Sequence, residues 1–111
     1  MGVAIQVRFF QSATGDTPAL NFIRNELTAE ERVIVGADLR AAQDDWNPGP
    51  PLTDGFGKGL WEIRSKTPTR QIRLMVCVHD KVLVVLHAFI KKTRATPAAD
   101  VKIARDRMKL L

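Results

Sequence analysis

Two β-rich segments separated by only two residues do most to constrain this chain. Gln71-Ile-Arg-Leu-Met-Val-Cys-Val-His79 and Val82-Leu-Val-Val-Leu-His-Ala-Phe-Ile90 are dense in Val, Ile and Leu, and only Asp80-Lys81 lies between them. That pattern predicts a hairpin closed by a two-residue turn. With 111 residues the chain has room for one domain, since domains cluster near about 100–150 residues. Residues 1–111 are therefore expected as a single unit built on this hairpin.

The flanking segments fill in the rest. Leu60–Ser65 supplies a third strand and makes the hairpin a meander. Val3–Phe10 alternates, with Val3, Ile5, Val7 and Phe9 on one face, and predicts an N-terminal strand. Asp16-Thr17-Pro18 opens a helix in which Thr17 can cap and Pro18 suits the first turn. Leu20, Ile23 and Leu27 give it an apolar stripe. Thr28-Ala-Glu-Glu31 has the form of a capping box starting a second helix that runs to about Asp45. Trp46–Gly59, rich in Gly and Pro, reads as a long loop. Thr96-Pro97 repeats the cap-then-proline signal before a C-terminal helix, with Val101, Ala104 and Met108 on one face and Lys102, Arg105 and Lys109 on another. The expected order is βααβββα: an α+β fold in two layers, a small antiparallel-rich sheet packed against the helix pair.

Several classes of protein are excluded or disfavoured. The longest apolar run, Val82–Ile90, is interrupted by His87 and is far short of the ~20 residues of a spanning helix, so no membrane association is expected. The N-terminus lacks the basic-then-apolar layout of a signal peptide. The lone Cys77 has no partner for an intrachain disulfide, which fits a reducing, cytoplasmic setting. The net charge of +5 conceals an asymmetry: residues 1–57 carry four basic and eight acidic side chains, and residues 58–111 carry thirteen basic and four acidic. A +9 half suggests a face for a polyanion, nucleic acid above all, unless the charge only keeps a small domain soluble.

Alternation along the strands locates some of that charge. A simple hairpin between Ser65 and Arg70 makes Arg64 and Arg73 cross-strand neighbours. A two-residue turn at Asp80-Lys81 sets Arg73 across from Ala88 and on the face of Lys92. Arg64, Arg73 and Lys92 then converge at one corner of the sheet. Like charges opposite one another destabilise a sheet, so either an anion such as phosphate compensates them or Glu62 or Asp100 pairs with one of them. His87, inside an apolar strand, reads as a half-buried histidine bonded to backbone or, less often, as a proton carrier. The two-residue turn puts it on the face opposite Arg73, and a one-residue shift would bring it alongside. Cys77 reads as core. His79, His87 and Cys77 have no zinc-site spacing, so no metal is expected. Gly55-Phe-Gly-Lys-Gly59 precedes a strand instead of a helix and is not a phosphate loop.

Taken together, Gly59-Leu-Trp-Glu-Ile-Arg64, Arg70-Gln-Ile-Arg73, Val85-Leu-His-Ala-Phe-Ile-Lys-Lys-Thr-Arg-Ala-Thr-Pro97 and Ile103-Ala-Arg105 resemble the phage-derived HigB branch of the RelE/HigB toxins of type II toxin–antitoxin systems. The resemblance spans roughly Phe9 to Leu111. It implies a RelE-like fold and a cofactor-free, metal-independent mRNA interferase that cuts message in the ribosomal A site. There the ribose 2′-hydroxyl attacks the adjacent phosphate, leaving a cyclic phosphate and a free 5′-hydroxyl. Such chemistry needs cations on the phosphate together with a proton acceptor and donor. By the resemblance Arg64, Arg73, Lys91 and Lys92 are catalytic candidates. Some RelE toxins use a tyrosine that this chain lacks altogether, so the base is Lys92, Lys91 or His87. Lys58, Lys66, Arg70 and Arg94 flank the site as candidate RNA phosphate contacts. The implied partners are the ribosome, mRNA and a cognate helix-turn-helix antitoxin, with DNA met only through the antitoxin. The alternative is a non-catalytic phage or plasmid protein that binds RNA or a host protein through the same basic face.

Overall fold

The expected hairpin is the middle of a five-stranded sheet. A computed structural model describes residues 4–111. Its elements are β1 (Gln6–Phe9), α1 (Pro18–Glu26), α2 (Ala29–Asp44), β2 (Thr53–Gly57), β3 (Leu60–Lys66), β4 (Gln71–His79), β5 (Val82–Lys91) and α3 (Ala98–Met108). The sheet order is β1-β5-β4-β3-β2. Neighbours run antiparallel except β1, which lies parallel to β5 and makes the sheet mixed. Asp80 and Lys81 both take positive φ, 51° and 64°, the geometry that a two-residue turn needs to match the twist of its strands. No helix among the described residues is long and apolar enough to cross a membrane.

The fold class is α+β, as expected, but two features of the order and layering differ. First, Trp46–Gly59 is not all loop: Thr53–Gly57 pairs with β3 as an edge strand. Gly57, Lys58 and Gly59, all at positive φ, close that hairpin tightly, and the glycines that suggested a loop are what the turn requires. Second, α3 does not join the helix pair. The central strands are apolar on both faces and need cover on both. Ile63, Ile72, Leu74, Val76, Leu83 and Val85 pack against Ala19 of α1, Leu27 at its C-cap, and Val35 and Ala42 of α2. Leu60, Met75, Cys77, Val84, Leu86 and Phe89 form a second core with Phe10 and with Ala104 of α3. The result is three layers, with the sheet in the middle.

Local signals fared unevenly. The capping box is present: the Glu31 amide donates to Thr28 Oγ1 (3.1 Å), and the Thr28 amide donates to Glu31 Oε1 (2.8 Å). Thr17 occupies the N-cap of α1 without a side-chain bond; its ψ of 78°, against 165° at Thr28, does not aim the hydroxyl at the first-turn amides. Thr96 does not cap α3 either, because Pro97 holds the N-cap position. β1 starts at Gln6, not at Val3, and Val3 lies outside the described residues. Ile5, Val7 and Phe9 pack on the first core as the alternation predicts.

Candidate nucleic-acid interface

One irregularity in the central hairpin decides which side chains meet. Pairing from the turn runs His79 with Val82 through Val76 with Val85, and then Met75 pairs with His87, leaving Leu86 as the extra residue of a β-bulge. A one-residue shift reverses the face of every residue beyond it. Arg73 therefore pairs with Phe89, not with Ala88. His87, expected on the opposite face, shares the α3 side of the sheet with Arg73. Alternation places Lys91 on that side as well, and Lys92 lies just past the end of the strand.

Arg64 and Arg73 are direct cross-strand partners, as the hairpin reading required. Their charge is compensated from within. Glu62, 1% exposed, sits one row along the sheet, with Oε1 3.3 Å from Arg64 Nε and 3.4 Å from Arg73 Nε. Asp54 of β2 pairs with Arg64 (2.9 Å), and Gln71 Oε1 accepts from Arg73 (2.7 Å). Two guanidinium groups thus meet two carboxylates, and no external anion is needed to hold them. Burial pulls the Arg73 pKa below its usual value, with Glu62 opposing and Arg64 adding to the shift. Its Nε has no well-formed hydrogen bond.

Asp100, the other acid considered for the arginines, belongs to His87 instead, with Nε2 2.7 Å from its Oδ1. Arg107 approaches Nδ1 at 3.5 Å, and the ring stacks on Phe89 with centroids 5.5 Å apart. Burial lowers the His87 pKa against the pull of Asp100, with Arg107 adding to the shift. The network assigns the tautomer: Nε2–H donates to Asp100, and Nδ1 accepts from Arg107. His87 is half-buried as the sequence suggested, but its partners are side chains of α3 instead of backbone. Cys77 is buried, and its thiol is pushed up to about 11 by burial, the state of an inert core thiol. Among the described residues no cluster of three or more His, Cys, Asp or Glu side chains could hold a metal ion.

The exposed basic surface lies at the adjoining end of the sheet. The β3–β4 connection and the segment after β5 form the two walls of an open groove of about 710 Å³. Lys66, Arg70, Lys91, Lys92 and Arg94 line it together with Thr67, Thr69, Gln71 and Thr93, and no acid does. Lys66, Lys91, Lys92 and Arg94 form no ion pair among the described residues. A second hollow of about 470 Å³, sharing Lys66 and Gln71, continues from the groove to Arg64 and Arg73.

Arg70 and Lys58, the other two expected phosphate contacts, add no free charge to this groove. Arg70 lines the groove, yet its guanidinium is committed to both oxygens of buried Glu31 and to the Glu26 carbonyl. That pairing brings the Glu31 carboxyl down to about 2. Lys58 sits on the β2–β3 turn, at the far end of β3, about 20 Å from the groove at roughly 3.3 Å per strand residue. Asp54 and Thr96 were not legible as parts of the site: the first was hidden in an apparent loop, and the second resembled a helix cap. The profile of the family described as "Phage derived protein Gp49-like" matches residues 24–109. No curated protein matches the chain.

Proposed function

Because the chain belongs to the phage-derived Gp49-like family, which is associated with RelE-like toxins of toxin–antitoxin systems, we propose that it is a ribosome-dependent mRNA endoribonuclease. The observation that carries this reading is the acid-free groove lined by Lys66, Lys91, Lys92 and Arg94, none of them in an ion pair among the described residues. Unpaired cations along a groove neutralise successive phosphates of a single strand.

In the proposed reaction the 2′-oxygen bonds to the adjacent phosphorus while the bond from phosphorus to the 5′-oxygen breaks. The 2′-hydroxyl proton goes to a base, and the 5′-oxygen takes up a proton. Lys91 and Lys92 face the phosphate and stabilise its developing charge; with both His87 nitrogens engaged, these lysines are also the nearest proton carriers. Arg64 and Arg73 lie one row of the sheet behind them and shape the floor. A cognate helix-turn-helix antitoxin with an acidic segment suits the same groove, and it inhibits either by plugging the groove or by making the toxin too large for the A site.

The test is controlled expression in a bacterial host with primer-extension mapping of message. Wild-type protein should arrest growth and fragment mRNA, and Lys91→Ala/Lys92→Ala should do neither. Intact message and normal growth on wild-type expression would sink the nuclease. The second reading, a non-catalytic RNA-binding protein, is favoured by one specific feature: Asp54 and Glu62 already neutralise the arginine pair. Harmless expression combined with RNA binding in vitro would establish it.

A further inference from the structure

The groove poses a mechanical problem. Its cations repel one another, and most of them stand on connections without regular structure. One wall has a clear solution. Arg70 is tied across to buried Glu31 (2.7 Å from Nε to Oε2) and to the Glu26 carbonyl (3.2 Å). Thr67 and Arg70 close the turn on themselves, the Thr67 hydroxyl donating to the Arg70 carbonyl (2.8 Å) and accepting from its amide (3.0 Å). Arg70 is a tether, and its position in the lining follows from that.

The second wall, from Lys92 to the start of α3, has much less. Within it Thr93 Oγ1 donates to the Ala95 carbonyl (2.7 Å). The one hydrogen bond among the described residues that ties this segment back to the sheet is Thr96 Oγ1 to Glu62 Oε2, at 2.6 Å. The acceptor is the buried carboxylate whose other oxygen faces Arg64 and Arg73. Thr96 stands one residue before the N-cap of α3, which Pro97 occupies, so its hydroxyl is not committed to first-turn amides. The hydroxyl is free to donate to Glu62. A hydrogen bond to an ionised, buried acceptor is of the strong class and fixes direction as well as distance.

We propose that the Thr96–Glu62 hydrogen bond is a strut that holds the second wall of the groove against the Arg64/Arg73 pair, making Thr96 a positioning residue for Lys92 and Arg94. This rests on the reading of the groove as a polyanion site. Thr96 touches no phosphate and carries no charge. Its loss removes no cation but lets the wall that carries Lys92 and Arg94 wander, so that binding must re-order it. The expected signature separates positioning from contact. Removing a contacting lysine lowers both the affinity and the slope of log affinity against log salt. Removing the strut lowers affinity alone, by about tenfold if one or two long side chains must be ordered anew on binding.

The experiment measures binding of a short fluorescein-labelled single-stranded RNA to the purified full chain across a salt series. The proteins compared are wild type, Thr96→Val, Thr96→Ser and Lys92→Ala. Thr96→Val should bind about tenfold more weakly with the wild-type salt slope, Thr96→Ser should bind as wild type does, and Lys92→Ala should flatten the slope. Amide hydrogen exchange at Thr93–Ala95 should quicken in Thr96→Val while β4 and β5 stay protected. Should the valine variant fold poorly, Thr96→Ala removes the hydroxyl without a branched methyl beside Glu62 and must give the same pattern. Wild-type affinity in the hydroxyl-deleted variants, with Lys92→Ala impaired, overturns the strut and leaves the polyanion site standing. Wild-type affinity and slope in Lys92→Ala as well overturns both.

Discussion

The carboxylate of Glu62 is the most consequential single group in the sheet, and its removal has a calculable cost. In Glu62→Ala, Arg64 keeps Asp54 and a side chain about a third open to water, so it loses little. Arg73, 6% exposed, is left with the Gln71 amide and a long contact to the Ile72 carbonyl (3.4 Å). Breaking a buried pair from one side costs about 3–5 kcal/mol, because an uncompensated charge stays inside. Both Nε contacts exceed 3.2 Å, which places the expectation at the lower end, about 3 kcal/mol. Against total stabilities of roughly 5–15 kcal/mol that is a large fraction. Urea titration followed by the fluorescence of Trp46 and Trp61 measures it, provided the slope against urea is unchanged. The control is the same change in an Arg73→Met background. With the buried cation gone, Glu62→Ala should cost about 1 kcal/mol or less, since replacing both members of a buried pair by apolar groups is often neutral. Equal costs in the two backgrounds would refute the account, because Glu62 would then not be answering Arg73.

Asp54→Asn removes one of the two carboxylates on Arg64, so affinity for single-stranded RNA should rise a few-fold and the salt slope should steepen by about one. Because the pair is partly exposed, stability should change by less than about 1 kcal/mol, and denaturation run in parallel checks it. Glu31 has its carboxyl lowered from 4.5 to about 2 by Arg70. A depressed carboxylate contributes its full stability above its unfolded pKa and loses it as pH falls through the folded value. Unfolding midpoints should therefore decline between about pH 4.5 and 2, and Arg70→Ala should remove that part of the decline. Lys58→Ala should leave RNA affinity unchanged, and a loss equal to that of Lys92→Ala would mean that the binding face extends along β3.

The elements were legible where periodicity and turn chemistry coincide. Gln71–Ile90 declares itself through alternation and a two-residue break, and Thr28–Glu31 through reciprocal capping. The site was harder to read because it depends on quantities that strand periodicity does not carry. One extra residue at Leu86 moves His87 to the other face. Nothing in Val82–Ile90 marks the bulge, since an apolar residue is acceptable on either side of a sheet buried on both. β2 was concealed by the glycines and prolines around Thr53–Phe56. Its concealment took Asp54 with it, so the arginine pair looked less compensated than it is. Arg64 opposite Arg73 needed only a hairpin and was correctly placed.

The same contrast explains why net charge predicted a basic face but not its members. In the second half of the chain the arginines mostly serve the protein itself. Arg64 and Arg73 meet Glu62, Arg70 meets Glu31, Arg105 holds the Phe56 and Gly57 carbonyls, and Arg107 holds the Leu86 carbonyl. Arg94 alone among them lacks a protein partner in the described residues. The lysines divide the other way: Lys102 pairs with Asp106, while Lys66, Lys91 and Lys92 are left to the groove. This division follows from side-chain chemistry. A planar guanidinium with five fixed donors bridges carboxylates and carbonyls at partial burial, whereas a compact, strongly hydrated ammonium on a flexible stem favours water or a mobile phosphate. Counting Arg and Lys as equal positive charges therefore overstates the charge that stands free of protein partners among the described residues. Lys91 and Lys92, at the end of β5, are among the few cations of this half that stand without a protein partner in the described residues, and the proposed RNA site is built on them.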